Sequence, residues 1–360
     1  MEPVDMTMYG LEKIAFIAVL TIGLAILAYE IYFYLRLLLS FKPERRLDNP
    51  LKRVKKLFTF VFGQRRLLDQ IAMGSAHFMI FWGFIIISFG TLTFFGKGFS
   101  AGFRLPIIGT IFNGQFLFLL DLFSVLVLIG ITIAVIRRFL PGSERMPRGW
   151  EAATILILIA GLMVFSLLAE SFNMAAQGKY REASFVGSAL AQVFSNMNLA
   201  QTTYIGYSHI FWWIHLFFFL GILTYVPVSK HMHVFTSLPN VFFSHTTPNG
   251  KLSTPKLEDA EEFGVTKVEQ YSWKQLLDGY SCTECGRCHE QCPAVNTDKP
   301  LSPRNIIMQL RKHAEKKAPY IFHGKSDDFA ERFIEDVITE GVIWECTTCY
   351  ACMRACPLFI

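Results

Sequence analysis

Five stretches of the sequence, residues 14–35, 71–95, 116–136, 152–172 and 207–228, carry at most one Asp, Glu, Lys or Arg each. Runs of about twenty apolar residues match the hydrocarbon thickness of a bilayer. In that solvent every backbone amide must bond within its own segment, so each run is an α-helix. Composition agrees, with 52% apolar residues, 35 phenylalanines and 18% charged residues, against about 25% charged in soluble domains. The first run is no cleaved signal peptide, because its flank MEPVDMTMYG is acidic and the apolar run is too long.

Lysine and arginine set the orientation. The first connection carries Arg36, Lys42, Arg45, Arg46, Lys52, Arg53, Lys55, Lys56, Arg65 and Arg66, and the third carries Arg137, Arg138, Arg145 and Arg148. Those loops are expected on the cytoplasmic side. The opposite loops hold mainly Lys97, Arg104, Lys179 and Arg181, so the N-terminus is outside and the chain leaves its fifth span in the cytoplasm. The net charge of +5 sits beside the spans, where anionic membrane lipid accounts for it and nucleic acid is excluded as partner. SFVGSALAQVF, in the last outer loop, has helical apolar spacing and reads as a short helix on the outer surface.

All eight cysteines fall in two copies of one motif, CTECGRCHEQCP at residues 282–293 and CTTCYACMRACP at 346–357. The spacing C-x2-C-x2-C-x3-C-P wraps thiolates around a [4Fe-4S] cube, the fourth cysteine of each run serving the other cluster. One cluster then takes Cys282, Cys285, Cys288 and Cys356, and the second Cys346, Cys349, Cys352 and Cys292. Zinc also uses C-x2-C pairs but needs four ligands in all, which leaves the third and fourth cysteines of each run unexplained. No cysteine remains for a disulfide, and free thiolates imply a reducing compartment.

Residues 236–270 are polar and rich in proline and threonine, a linker by composition. LSPRNIIMQLRKH offers Ser302 as N-cap and Pro303 as first helical residue, and SDDFAERFIEDVI reads as a further amphipathic helix. No run alternates as a strand does, so residues 271–360 form a helical two-cluster domain.

Histidines within spans are candidate sites, and facing pairs can ligate haem iron. His77 lies in the cytoplasmic half of the second span. His215 and His233 are 18 residues apart, on one face and about 27 Å apart if the fifth helix continues past Pro227. Depth pairs His77 with His233. His215 faces the outer half, and Ile87 stands where a second ligand on the helix of His77 would sit. His209, His231 and His245 rank lower, and His289, His313 and His323 read as surface residues. Asp121 and Glu170, near outer span ends, and Glu30, within the first span, are candidates for quinone protons or are solvated helix-end carboxylates.

H-x11-P-x-S-K-x2-H, from His215 through Pro227, Ser229 and Lys230 to His233, resembles the cytochrome b subunit of respiratory nitrate reductase, the gamma-type subunit. That resemblance implies a five-helix transmembrane cytochrome b bundle over residues 1–235 with one haem b or two. WKQLLDGYSCTECGRCHEQCPAVNTDKPLSPRNII and WECTTCYACMRACP are similar to heterodisulfide-reductase-like iron–sulfur proteins. The combination most resembles membrane-bound oxidoreductases that carry electrons from electron-transfer flavoprotein to menaquinone. It implies an all-α, multi-pass protein of the cell inner (cytoplasmic) membrane, with its ferredoxin domain cytoplasmic and a donor that is electron-transfer flavoprotein or another cytoplasmic redox protein. The family continues into CCG modules, and the chain here stops at Ile360 without one, so a longer protein or a partner is expected to supply that part. Two rivals stand beside this reading: a quinol-oxidising module feeding a heterodisulfide- or sulfur-reducing partner, and a bare relay without a substrate site.

The distribution of basic residues makes a topological prediction. A reporter fused after Val228 is expected in the cytoplasm and one at Gly102 outside. A cytoplasmic signal at Gly102 would sink the five-span arrangement.

Overall fold

The computed structural model describes residues 10–100, 102–139, 149–246, 264–265 and 267–360. The acidic N-terminal flank through residue 9, Arg145 and Arg148, and linker residues 247–263 and 266 lie outside these. Along the chain the helices are α1 (Gly10–Leu39), α2 (Pro50–Leu57), α3 (Arg65–Leu68), α4 (Ile71–Phe99), α5 (Asn113–Phe139), α6 (Trp150–Gln177), α7 (Phe185–Ser195) and α8 (Gln201–Val228). Then follow α9 (His233–Phe242), α10 (Trp273–Ser281), α11 (Arg287–Glu290), α12 (Pro303–Phe322), α13 (Glu340–Trp344) and α14 (Ala351–Ala355). Five of them, α1, α4, α5, α6 and α8, are long and apolar enough to cross a membrane. Among the described residues only two isolated β-bridges occur, Lys42 with Ser272 and Ile334 with Ile338.

The chain divides into two compact units, and the division is not the one composition suggests. Of the described residues, the first unit takes in 10–27, 67–139 and 149–225, and the second takes 28–66 and those from 226 onward. The first connection therefore belongs with the cysteine motifs, although by sequence it lies between the first two spans.

In the first unit, α4 and α5 approach closely because glycines on one helix receive a side chain or carbonyl of the other. A Cβ on Gly83 would stand 2.1 Å from Val127 Cγ2, one on Gly90 2.6 Å from Leu120 Cδ2, and one on Gly130 2.9 Å from the Ala76 carbonyl. Lipid provides no hydrophobic drive between helices, so dispersion across such close contacts holds them. Phe16, Phe94, Trp212 and Leu216 make a second buried cluster. On α1, by contrast, Leu11, Ile14, Ile22 and Tyr29 are exposed, as expected of an apolar helix whose solvent is lipid. α6 ends at Gly178, whose φ of 62° is left-handed and lets the Gly178 and Lys179 amides bond back to Ala175 and Met174. The short helix expected in the following loop is α7. Its N-terminus is capped from another element: an Asp121 carboxylate oxygen accepts from the amides of Val186, at 2.7 Å, and Gly187, at 3.0 Å. A carboxylate there meets both the orphan amides and the positive end of the helix dipole.

In the second unit the basic first connection grips the end of α9. Arg53, 1% exposed, donates to the carbonyls of Phe242, at 2.6 Å, and Ser244, at 2.8 Å. Lys56 reaches the carbonyl of His245 and Lys52 that of Thr246. These cations satisfy carbonyls at and just beyond a helix C-terminus, where the dipole favours positive charge. Anionic lipid is thus not what Arg53 binds. The Lys42 amide donates to the Tyr271 carbonyl and the Lys42 carbonyl accepts from the Trp273 amide, while Trp273 Nε1 donates to the Glu44 carbonyl at 2.9 Å. Leu37, Phe41, Leu276, Tyr280 and Ala314 pack in the common core.

Three expectations are corrected. The helix holding His215 does not continue to His233: α8 ends at Val228, one residue past Pro227, and Ser229 turns extended and caps a 3-10 turn by accepting from the His231 amide. Part of the expected linker is helical, since α9 runs to Phe242. Residues 326–338 form a 3-10 turn and a bridge rather than a helix. There the Asp336 carboxylate accepts from the Arg332 amide, Glu335 has φ 96°, and Phe333 and Ile338 are drawn into the core. Local side-chain bonding of this kind competes with helix formation. α12, in contrast, starts as expected at Pro303 with Ser302 accepting from the Asn305 amide.

Lys274, buried at 2% exposure, donates to Asp278 at 2.6 Å and to Asn240 at 2.9 Å. Lys274→Met strands the buried Asp278 carboxylate and is expected to cost about 3–5 kcal/mol. Thermal unfolding of the purified protein reads the loss, and pairing the change with Asp278→Leu is expected to recover much of it.

Candidate functional site

The two cysteine runs fold alike although their sequences share little beyond the cysteines. Each has a left-handed residue before its second cysteine, Glu284 at φ 55° and Thr348 at 52°, and another just after it, Gly286 at 79° and Tyr350 at 61°. Each then enters a short helix, α11 or α14, that carries the third cysteine. Gly286 adopts this conformation without strain, while Tyr350 bears the cost of a Cβ there. Such a path turns amides inward toward sulfur. Glu284 bonds Cys282 through its backbone, Ala351 bonds Cys349, and both Leu358 and Ile360 bond Cys356.

Cys282 has Cys356, Cys285 and Cys288 for electrostatic neighbours, Cys352 has Cys346, Cys292 and Cys349, and Cys288 has Cys352 as well as Cys285. The fourth cysteine of each run thus neighbours the other run. Among the described residues no three His, Cys, Asp or Glu side chains meet closely enough to hold a single metal ion. A cube of four irons asks for one thiolate at each iron, a wider arrangement than four ligands on one ion.

Environment differs among the eight thiols: Cys292 is buried, Cys282, Cys285, Cys288, Cys352 and Cys356 are part-buried, and Cys346 and Cys349 are exposed. Burial pushes the thiols of Cys282 and Cys356 up to about 12 and that of Cys288 up to about 11. Free of metal they stay protonated at neutral pH, so metal must displace protons to bind. Cys346 and Cys349 are exposed, and the Ala351 amide holds Cys349 below the ordinary thiol range.

Cations and amides close around Cys356. Arg66 donates to the Cys356 carbonyl at 2.5 Å, and its guanidinium stands 3.7 Å from the centre of the Phe359 ring. The Arg66 carbonyl accepts in turn from Arg287, at 2.7 Å, between Cys285 and Cys288. Asn240 donates to the Leu358 carbonyl at 3.0 Å. Nothing in the spacing of the motifs signals these partners, because Arg66 is one of many basic residues in its connection.

The first unit holds a cavity of about 220 Å³, lined by Ile87, Thr91, Asp121, Glu170, Arg181 and His215 among others. His215 is 1% exposed; its Nδ1 stands 3.0 Å from the Leu162 carbonyl and its Nε2 has no hydrogen-bond partner. An imidazole held at Nδ1 with Nε2 bare suits an axial metal ligand. Ile87, in the place of the absent second histidine, lines the same cavity. Glu170 is ion-paired with Arg181, and Asp121 is engaged in capping α7.

The remaining candidates have other settings. His77 is half-buried on α4 in the first unit, and His233 begins α9 in the second, its Nδ1 3.3 Å from the Lys230 carbonyl. His209 pairs with Glu12, His231 contacts Ser229, His245 bonds Arg46 and His289 bonds Ser302. His313 is no surface residue: it is 3% exposed, packed on Phe329 and Phe333 and bonded to Glu331. His323 is exposed. Glu30, on the part of α1 assigned to the second unit, has a shielded carboxylate oxygen without a hydrogen-bond partner.

Residues 281–359 match the family described as a 4Fe-4S dicluster domain. The chain is 33% identical over 375 aligned positions to the "Probable iron-sulfur-binding oxidoreductase FadF" of Bacillus subtilis (strain 168), covering 93% of this chain and 53% of that protein. It is 30% identical over 353 positions to the "EtfAB:quinone oxidoreductase" of Syntrophomonas wolfei, covering 88% of this chain and 48% of the relative. A shorter similarity, 31% over 81 residues and 22% of this chain, joins it to a ferredoxin:CoB-CoM heterodisulfide reductase subunit of Methanosarcina mazei, of which it covers 37%. The chain spans about half the length of the first two relatives. No solved structure matches it. With five membrane-capable helices among its described residues, the chain is similar over most of its own length to proteins named iron-sulfur-binding oxidoreductase and EtfAB:quinone oxidoreductase, and its residues 281–359 match a 4Fe-4S dicluster domain.

Proposed function

We propose that this chain is a membrane redox protein carrying electrons from a cytoplasmic donor, reduced electron-transfer flavoprotein, by way of two [4Fe-4S] clusters and haem b to menaquinone. What supports the reading is a pair of cysteine runs that match a 4Fe-4S dicluster domain, in a chain similar along most of its length to a protein named EtfAB:quinone oxidoreductase. When bound, clusters and haem supply one-electron carriers, and the protein contributes spacing, potential and access.

Cys282, Cys285, Cys288 and Cys356 hold one cluster, and Cys346, Cys349, Cys352 and Cys292 the other. Backbone amides aimed at sulfur lessen the thiolate charge and favour reduction. His77, His233 and His215 are the axial ligands proposed for haem iron. Of these, His215 has the best-supported geometry, since the Leu162 carbonyl orients its ring and leaves Nε2 bare toward the cavity. Glu170 and Asp121 line the same cavity and are candidates for exchanging quinone protons, Glu170 being ion-paired with Arg181. The basic connections favour a cytoplasmic position for the cysteine motifs, in a cell inner membrane.

The similarity of residues around the motifs to a heterodisulfide reductase supports a second reading, in which quinol is oxidised and electrons leave through the clusters.

Purified protein is expected to hold about eight irons per chain with matching acid-labile sulfide, and to give interacting paramagnetic centres on reduction. Cys356→Ser is expected to damage the cluster bound mainly by the first motif; stoichiometric zinc without sulfide would overturn the assignment. Under anaerobic mixing, reduced electron-transfer flavoprotein is expected to reduce the centres and then a soluble menaquinone analogue. Centres that respond to quinol but never to the flavoprotein would favour the reverse direction. A pyridine haemochrome assay tests the histidines: His77→Ala, His233→Ala and His215→Ala are each expected to lose haem, and wild-type haem in all three would reject the ligand set.

A further inference from the structure

The first connection uses one of its faces and leaves another uncovered. Arg53, Lys56 and Lys52 turn to carbonyls at and beyond the end of α9, and Val61 is buried. On the same helix Leu51 is 82% exposed, Val54 40% and Phe58, at its C-cap, 65%. Positions three, four and seven apart share one side of a helix, so these residues make a stripe, with Lys55 exposed among them. The π turn Phe58–Phe62 extends it, the rings of Phe58 and Phe62 standing 5.4 Å apart.

A contiguous apolar surface of this kind marks a contact with something other than water, and two observations say what covers it. The first is continuity. The connection leaves α1 at Leu39 and returns as α4 at Ile71, and both helices are membrane-capable. The last turns of α1 belong to the second unit, as the stripe does, and there Tyr32, Leu35 and Leu39 are exposed in the manner of a lipid-facing helix. The stripe thus begins a short way along the chain from a helix that ends at a bilayer surface. The second observation is charge. Between Pro50 and Arg65 stand Lys52, Arg53, Lys55, Lys56 and Arg65 and no acidic residue. Three of these cations serve α9, while Lys55 and Arg65 are exposed and take no part in that grip. An apolar helix face flanked by cations is what lies in the boundary between headgroups and acyl chains, its basic residues drawn to anionic lipid.

We infer that Leu51, Val54 and Phe58 lie in the interface of the bilayer, with Lys55 and Arg65 on the phosphates of anionic phospholipid, so that the second unit rests on the membrane through this connection as well as through α1. One short helix then has two tasks: its polar side holds α9, and its apolar side holds lipid. The contact stands apart from the redox chemistry and asks nothing of the cofactors.

The test reconstitutes the purified full chain in phosphatidylcholine vesicles with and without phosphatidylglycerol, each holding a phospholipid with a photoreactive group on its acyl chain. Mass spectrometry maps the labelled peptides, with α5 as the lipid-exposed reference. Residues 51–58 are expected to take label, severalfold more in the vesicles with phosphatidylglycerol once scaled to α5. Phe58→Asp is expected to lose most of that labelling, with α5 labelling and thermal unfolding unchanged. Lys55→Gln combined with Arg65→Gln is expected to erase the difference between the two lipids. The wild-type map decides by itself should a variant fail to fold: label on α5 without label on residues 51–58 would overturn the inference. Residues 51–58 cross-linked to a second copy of the chain or to another protein, in place of lipid, would overturn it as well, and equal labelling in both lipids would overturn the part given to Lys55 and Arg65.

Discussion

The second unit depends on the grip of the first connection on the end of α9. Arg53 is nearly inaccessible and donates to carbonyls at and beyond the last turn of that helix, with Lys52 and Lys56 extending the contact. A buried guanidinium is tolerated only when its donors are matched, and here the carbonyls left over by a helix C-terminus provide the match. Asp48 completes the arrangement as an ion-pair partner, and the bonds from Thr246 and Arg53 hold its carboxyl well below the usual range. Through this contact a segment drawn from between two spans becomes a wall of the iron–sulfur domain. Breaking it leaves both a buried cation and unpaired carbonyls, so its loss costs more than its formation contributes.

From that wall follows the electrostatic character of the cysteine groups. The motifs themselves contribute turns, inward amides and thiols. The connection contributes Arg66 and Lys56, and the helices beside it contribute Asn240, which links the buried Lys274–Asp278 pair to the segment after Cys356. Burial raises the Asp278 carboxyl while Lys274 opposes the rise. The second unit thus holds cations and dipoles against the backbone of the segment around Cys356.

The first unit works by different physics. Its helices have no apolar drive toward one another, and glycines on α4 and α5 allow the backbone approach that dispersion requires. Polar groups in such a bundle carry a large desolvation cost, and several have partners: Asp121 caps α7, Glu170 meets Arg181, and Ser208 bonds the Ala169 carbonyl. His215 Nε2 and Trp212 Nε1 on α8 are buried without a hydrogen-bond partner, and His215 lines the cavity.

Five apolar runs were enough to read the all-α membrane architecture, because a bilayer leaves so few alternatives for a backbone. Eight cysteines in two spaced runs were enough to read a 4Fe-4S dicluster domain, since the spacing of metal ligands within each run is local in sequence. The start of α12 was legible from Ser302 and Pro303 for the same reason. What the sequence could not reveal was decided by tertiary contacts between distant residues. Arg53 and Arg66 look alike in composition, yet one caps a helix end and the other bridges both cysteine runs. Asp121, a candidate for quinone protons or a solvated helix-end carboxylate by sequence, is engaged by α7, and His313, which reads as a surface residue, is covered by two phenylalanines. The break between α8 and His233 belongs to the same class, for Pro227 fits in the last turn of a helix and it is the Ser229 cap beyond it that redirects the chain. Periodicity and spacing report what neighbours along the chain can do, while burial and charge depend on which strangers fold against them.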